Sequence, residues 1–246
     1  MLRPFFTIGH SNHTIDDFIA LLKQHGVTVL ADVRSRPYSR YCQHFRKAPL
    51  EGAIKKAGLG YVFLGKELGP RSTDPDCYID GAVSYERLAQ TPIFHQGLER
   101  LAKGAINHSI ALMCAEQDPI TCHRAILVSR PLHNEGHTVN HILRDGSLES
   151  HPDLEKRLLD LYAPNTSKSE SEVNDENSIA QLDLLTLTES DADLSTSEPL
   201  KEEPEGLVTK QLDVFEDWFE PQQQEWRRAI AMAYRQQGEK IAYKQE

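Results

Sequence analysis

Five short apolar runs alternate with segments of helical period between residues 5 and 143, and this alternation restricts the fold more than any other feature of the chain. The runs are Phe5–Gly9 (FFTIG), 27–33 (VTVLADV), 61–64 (YVFL), 109–113 (SIALM) and 138–143 (TVNHIL). They are too short for buried helices, and 27–33 is rich in β-branched residues, so they read as buried strands. Between the first two, Thr14 caps a helical pattern of Ile15, Phe18, Ile19, Leu21 and Leu22. Asp16 and Asp17 sit in its first turn, where the helix dipole favours them, and Gly26 stops it. Pro49 opens a second helix over 50–57, ended by Gly58. Residues 84–103 form one or two helices broken near Pro92, 121–134 contain a helix that Pro131 bends or ends, and 153–162 form a charged amphipathic helix. Strands separated by helices of this length require right-handed crossovers. The expected fold class is therefore α/β, an open, mostly parallel sheet with helices on both faces, three-layer and Rossmann/flavodoxin-like.

Charge divides the chain into folded and unfolded parts. The net charge is −10, with 27 basic and 37 acidic residues. Residues 165–205 hold 12 of the acidic residues and 2 of the basic ones, which leaves 25 of each for the rest. The domain is thus expected over 1–163, a disordered acidic linker over 164–206, and a C-terminal amphipathic helical segment over 207–246. Within the linker, 179–187 has enough leucines for a docking helix. Phe215, Trp218, Phe219, Trp226, Ile230 and Tyr234 space the last segment as a helix that folds back on the domain, pairs with a second copy or serves a partner. No run reaches the roughly 18 apolar residues of a membrane span, and the N-terminus lacks a signal-peptide core, so a cytoplasmic protein with reduced thiols is expected.

Polar signatures fall where the strands end. The first run ends at Gly9-His10-Ser11, the second at Asp32-Val33-Arg34 followed by Ser35-Arg36, the third leads to Gly69-Pro70-Arg71, and the fourth ends at Cys114-Ala115-Glu116 before Cys122-His123-Arg124. Each has a bland reading: His10-Ser11 as a helix-capping turn, Asp32–Arg34 as a structural ion pair, Cys114 as a small buried apolar residue. Parallel strands, however, all finish on one rim, where ligands bind. That shared placement predicts a single cleft.

Cys122 has the clearest chemical case. It precedes a helix whose free N–H groups and dipole point at it, with His123 and Arg124 adding positive charge. The expected catalytic set is Cys122 as nucleophile, His123 or His10 as acid–base partner, and Asp32 or Glu116 as orienting carboxylate. His10, Ser11, Arg34, Arg36, Arg71 and Arg124 are the expected substrate-binding residues, suited to phosphate or carboxylate. A metal is the minor alternative, from Cys114, Cys122, His10 and His123, because Cys-x7-Cys is not a standard zinc spacing. Dinucleotide and nucleoside-triphosphate fingerprints are absent from the sequence, and no cofactor is assigned.

At these residues the chain resembles the bacterial and archaeal family labelled domain of unknown function 488. TIGHS (7–11), DVRSRPYS (32–39), LGKELGPR (64–71), CAEQDPITCHR (114–124) and VNHILRDG (139–146) carry the resemblance, which spans about residues 5–160. It implies the domain and its residue set and supplies no reaction. Two functions remain open. One is an enzyme acting on a small anionic or nucleotide-like substrate, by thiolate chemistry or by non-covalent processing in which the carboxylates matter more. The other is a sensor module for a nucleotide or nucleic acid. The neutral domain disfavours nonspecific nucleic-acid binding, although Arg34, Arg36, Arg40 and Arg46 form a local basic strip.

Overall fold

The computed structural model describes residues 3–162 and 207–244, with side chains of the last helix described from residue 223. Its elements in chain order are β1 (Phe5–Gly9), α1 (Ile15–Gln24), β2 (Val29–Asp32), α2 (Lys47–Lys56), β3 (Gly60–Phe63), β4 (Tyr78–Ile79), β5 (Ala82–Val83), α3 (Tyr85–Ala89), α4 (Pro92–Ala105), β6 (Ile110–Cys114), α5 (Arg130–Asn134), β7 (Val139–Ile142), β8 (Leu148–Ser150), α6 (His151–Tyr162) and α7 (Leu207–Ile241). The five expected strands are present. β8 and the two-residue strands β4 and β5 are additional; they are too short to show a period. The linker and its docking helix over 179–187 lie outside the described residues.

Six strands form one sheet in the order β3-β2-β6-β1-β7-β8, parallel except for β8. Alternate strand residues face opposite layers, as the two-residue period of a strand dictates. Phe6, Ile8, Leu30, Ala111 and Met113 pack with Phe18 and Leu22 of α1 and Leu50 and Ile54 of α2. Phe5, Ala31, Ile110, Leu112 and Val139 pack with Phe94, Leu98 and Leu101 of α4. The sheet is therefore covered on both faces, as the near-continuous apolar strands require. α1 is capped as expected, with Thr14 Oγ1 accepting from the Asp17 N–H at 3.1 Å.

Topology decides where the site lies. The chain runs from β1 out to β2 and β3, then returns to insert β6 between β2 and β1 before crossing to β7. This reversal is a switch point, where loops diverge and leave a crevice. The ladder continues past the strand ends: His10 N–H donates to Cys114 O, Ser11 N–H to Ala115 O and Val33 N–H to Met113 O. Three of the four polar signatures are thereby held side by side.

The described residues fall into two units, 3–162 with 227–244 in the first and 207–226 in the second. The second contains the first part of α7. Within the first, Ile230, Ala233 and Tyr234 of α7 pack with Ile120, Ile126 and Leu158. Of the three roles expected for the C-terminal segment, folding back on its own domain is the one seen here.

A buried hydrogen-bond chain fastens this packing. Arg124 Nε–H donates to Thr7 Oγ1, the Thr7 hydroxyl to His141 Nδ1, His141 Nε2–H to His151 Nδ1, His151 Nε2–H to the Tyr234 hydroxyl, and Tyr234 to Glu155. Each imidazole has one donor and one acceptor role, and the partners assign the neutral tautomers. Burial, reinforced by neighbouring positive groups, holds His151 down at about 3 and His141 well below the usual histidine range.

Candidate functional site

The site grows from the end of β6. Cys114 is the last residue of that strand, and the following loop turns back so that Cys122 stands beside it. Asp118 makes the turn: its carboxylate accepts the Ile120 N–H at 3.1 Å and is gripped by Arg157 through two hydrogen bonds of 2.8 and 2.9 Å. Arg124 fixes the loop from beneath, donating to Glu116 O at 2.6 Å and to Gln117 O at 2.9 Å. Next comes a π-helical turn over Arg124–Ser129, just ahead of Pro131, which has no N–H with which to continue an α-helical ladder.

Four side chains converge here. Glu116 Oε2 lies 2.8 Å from Cys114 Sγ and 3.0 Å from Cys122 Sγ. His123 Nδ1 lies 3.5 Å from Cys114 Sγ and 3.8 Å from Cys122 Sγ, while its Nε2–H donates to Val33 O at 3.1 Å. The backbone N–H of Arg124 points at Cys122 Sγ from 3.4 Å. Both thiols and His123 are buried; Glu116 is the exposed member.

These contacts set the charges. Burial, aided by Cys122 and Glu116, pushes the Cys114 thiol well up. Burial also opposes ionisation of Cys122, but the Cys114 thiol, Arg124 and His123 outweigh it and hold Cys122 well below the usual thiol range. Burial opposes protonation of His123, yet the charges of Cys122 and Glu116 raise it. Burial and Cys122 raise the Glu116 carboxyl. The Cys122 thiol is thus the more acidic of the two, and His123 is the basic group beside it.

The cluster floors a cleft. A cavity of about 260 Å³ is lined by His10, Arg34, Ser35, Arg36, Tyr38, Ser39, Pro70, Arg71, Cys114, Ala115, Glu116 and His123. A second, of about 180 Å³, shares Pro70, Arg71, Glu116 and His123 and adds Tyr85, Thr121, Cys122, Ile241 and Tyr243. The shared walls make these two lobes of one cleft. A larger cavity of about 560 Å³ lies between the β4–β5 hairpin and α7; its lining holds no cysteine or histidine, and the cysteine–histidine cluster opens into the smaller cleft.

His10, Arg34, Arg36, Arg71, Cys114, Glu116, Cys122 and His123 therefore meet as the shared strand rim predicts. Three expected residues sit elsewhere in role. Arg124 is fully buried and spends its guanidinium on two loop carbonyls and Thr7, so it positions the loop and does not reach a substrate. Asp32 is fully buried, bonded by the Arg34 guanidinium at 2.9 and 2.7 Å and by Tyr61 at 2.9 Å, and so orients Arg34. Ser11, at φ 43°, serves the turn after β1 and does not line the cleft. His10 belongs to the cleft wall and not to the donor cluster. Its Nδ1–H donates to Ser11 O, its Nε2 accepts from Arg34, and burial and Arg34 hold it down at about 4. Glu116 takes its place beside the thiols. Tyr38, Tyr85 and Tyr243 were not anticipated as cleft residues; an exposed aromatic beside the RSRP stretch was the available signal for Tyr38.

Fold and site together define an α/β protein with a thiol–imidazole–carboxylate cluster at the carboxyl rim of a parallel sheet. Residues 14–130 match the model of the family described as Domain of unknown function DUF488. The matched stretch contains the DVRSRPYS, LGKELGPR and CAEQDPITCHR signatures, while TIGHS and VNHILRDG lie outside it. A search of curated proteins finds no match to the chain. Among the described residues, no helix is long and apolar enough to cross a membrane.

Proposed function

We propose that this cleft is the catalytic site of an enzyme acting on a small anionic, nucleotide-like substrate without a covalent enzyme intermediate. One observation carries the reading: the exposed Glu116 carboxylate, backed by two thiols and an imidazole, shares one cavity with Arg36, Arg71 and Tyr38. The ion pairs among the described residues use neither Arg36 nor Arg71, so both guanidiniums are free to take an anion. The Tyr38 ring is 64% exposed, with the Arg46 guanidinium 4.5 Å from its centre, and such an exposed ring can stack on a base. Glu116 is the proton carrier that can reach a ligand. Cys122, at 1% exposure, lies behind it, which favours the non-covalent variant over nucleophilic attack by the thiolate.

The test uses AMP and inorganic phosphate with the full-length protein. Arg71→Ala should weaken AMP binding at least tenfold in calorimetry, and Glu116→Gln should preserve binding while abolishing any conversion of AMP-class compounds seen by mass spectrometry. Failure of both probes to bind, or indifference of AMP affinity to Arg71→Ala, refutes the reading. The sensor reading keeps one supporting observation: the Tyr243 ring lies 3.9 Å from the Arg71 guanidinium, which links the cleft to the C-terminal segment. A sensor binds AMP through Arg71, leaves it chemically intact, and transmits occupancy to Tyr243.

A further inference from the structure

We propose that Cys114, Cys122, His123 and Glu116 form a binding site for one divalent cation of the zinc class. This deepens the catalytic reading of the cleft and rests on it for the role of the metal, though not for its binding.

The geometry carries the inference. One donor atom from each of the four residues lies within 4.8 Å of the others. Thiolate and imidazole ligands, at their usual lengths from a tetrahedral zinc, stand about 3.5 Å apart. The two sulfur–Nδ1 separations are 3.5 and 3.8 Å, so each thiol stands at ligand spacing from the imidazole, and the two sulfurs lie within 4.8 Å of each other. The carboxylate oxygen is closer to the thiols, at 2.8 and 3.0 Å, and must draw back slightly. Glu116 is the exposed member, so it has room to do so.

The surroundings are those of a ligand set. His123 donates its Nε2–H to the Val33 carbonyl, which fixes the ring and turns Nδ1 to the thiols. Metal-bound histidines are oriented by this kind of second hydrogen bond. The Arg124 N–H directed at Cys122 Sγ supports a thiolate there. Cys114 is held by β6, and Cys122 and His123 lead into the π-helical turn, so the donors sit on rigid elements. The loop between the cysteines is longer than in a two-residue knuckle, but the Asp118 turn folds it back and supplies the closeness that sequence spacing does not.

Two thiolates disfavour magnesium and calcium, and a thiolate–imidazole set with a carboxylate suits a borderline-soft divalent ion such as zinc, for which cobalt is the spectroscopic substitute. Cys114, Cys122 and His123 are the permanent ligands. Glu116, on the cleft side with Arg36 and Arg71, is the ligand that yields to water or substrate. A zinc ion there supplies the cleft with a Lewis acid and an acidified water.

The decisive experiment is anaerobic titration of the reduced, metal-stripped full-length protein with Co2+, followed by Zn2+. One equivalent should produce thiolate-to-cobalt charge-transfer absorption and intense tetrahedral visible bands, and one equivalent of Zn2+ should bleach them. Cys114→Ser and Cys122→Ser should each weaken binding at least 100-fold, and the Cys42→Ser/Cys77→Ser double variant should bind as the unmodified protein does. Glu116→Gln should keep the charge-transfer band, alter the visible bands and weaken binding about tenfold. The unmodified protein alone can refute the proposal, so variants that fail to fold do not protect it. Absence of the thiolate–cobalt band at one equivalent overturns it, as does a band that depends on Cys42 or Cys77. AMP affinity of the metal-free protein and of Arg71→Ala separates the two claims. A normal cobalt titration with AMP indifferent to Arg71 leaves the metal site standing and removes the enzyme reading. AMP binding that needs Arg71, without a thiolate–cobalt band, does the reverse.

Discussion

Lowering the pH from 7 to 5 should remove stability from this fold through the buried histidines that join β1, β7, α6 and α7. His151 is fully buried, with Nδ1 accepting from His141 and Nε2–H donating to Tyr234. A second ring proton would face the His141 N–H with no acceptor, and burial already disfavours the charge. Its folded value is accordingly about 3, against 6.5 for the free side chain. The unfolded chain therefore takes up a proton that the folded chain refuses. The stabilisation is complete above pH 6.5 and falls away as the pH drops toward 3. At pH 5, 1.5 units below the free value, the loss from His151 is about 2 kcal/mol. Burial and Arg34 hold His10 near 4, so it adds a loss of the same sign and similar size, and His141 acts in the same direction. Together they amount to about 4 kcal/mol or more, a large share of the 5–15 kcal/mol that holds a typical domain. Urea unfolding followed by circular dichroism at pH 7, 6 and 5 should show this decline, with about two to three protons taken up on unfolding. His151→Gln, which keeps one donor and one acceptor, should reduce the proton uptake by about one. A pH-independent unfolding free energy between 7 and 5, or a His151 titration near 6 by NMR, would refute the argument.

Three further outcomes follow from the same contacts. Gly9→Ala places a Cβ on the Glu116 carbonyl, which Arg124 also holds, so it should cost about 3 kcal/mol or more and displace Glu116, measured as lowered Tm and loss of the cobalt spectrum. Arg124→Met strands the Glu116 and Gln117 carbonyls and should cost about 2–5 kcal/mol in urea unfolding, whereas Arg36→Ala, on the exposed wall, should change stability by under about 0.5 kcal/mol. Truncation after residue 226 removes Ile230, Ala233 and Tyr234 from the cluster that covers Ile120, Ile126 and Leu158, so the remaining chain should bind an apolar dye and lose a sharp thermal transition; a product as stable as the full chain would show that this layer is dispensable.

Local chemistry made much of the domain legible. Residues 27–33 and 109–113 read as strands because each is a short apolar run, β-branched in the first, between segments of helical period, and Thr14 caps a helix because its hydroxyl meets an N–H that the helix itself cannot satisfy. The rim signatures were legible for the same reason: once the sheet is parallel, His10, Arg34 and Cys114 finish on one edge. What the chain does not spell out is order in space. Nothing in residues 110–114 says that β6 enters between β1 and β2, yet that insertion sets Cys114 between His10 and Arg34. The Asp118 turn put Glu116, not His10, beside the thiols, and the buried guanidinium of Arg124 proved to hold loop carbonyls where a ligand-binding role was expected. Short-range propensity acts over a few residues and is written in sequence. Strand order, loop return and the partner of a buried charge are settled by packing among residues a hundred positions apart, and only the folded chain decides them.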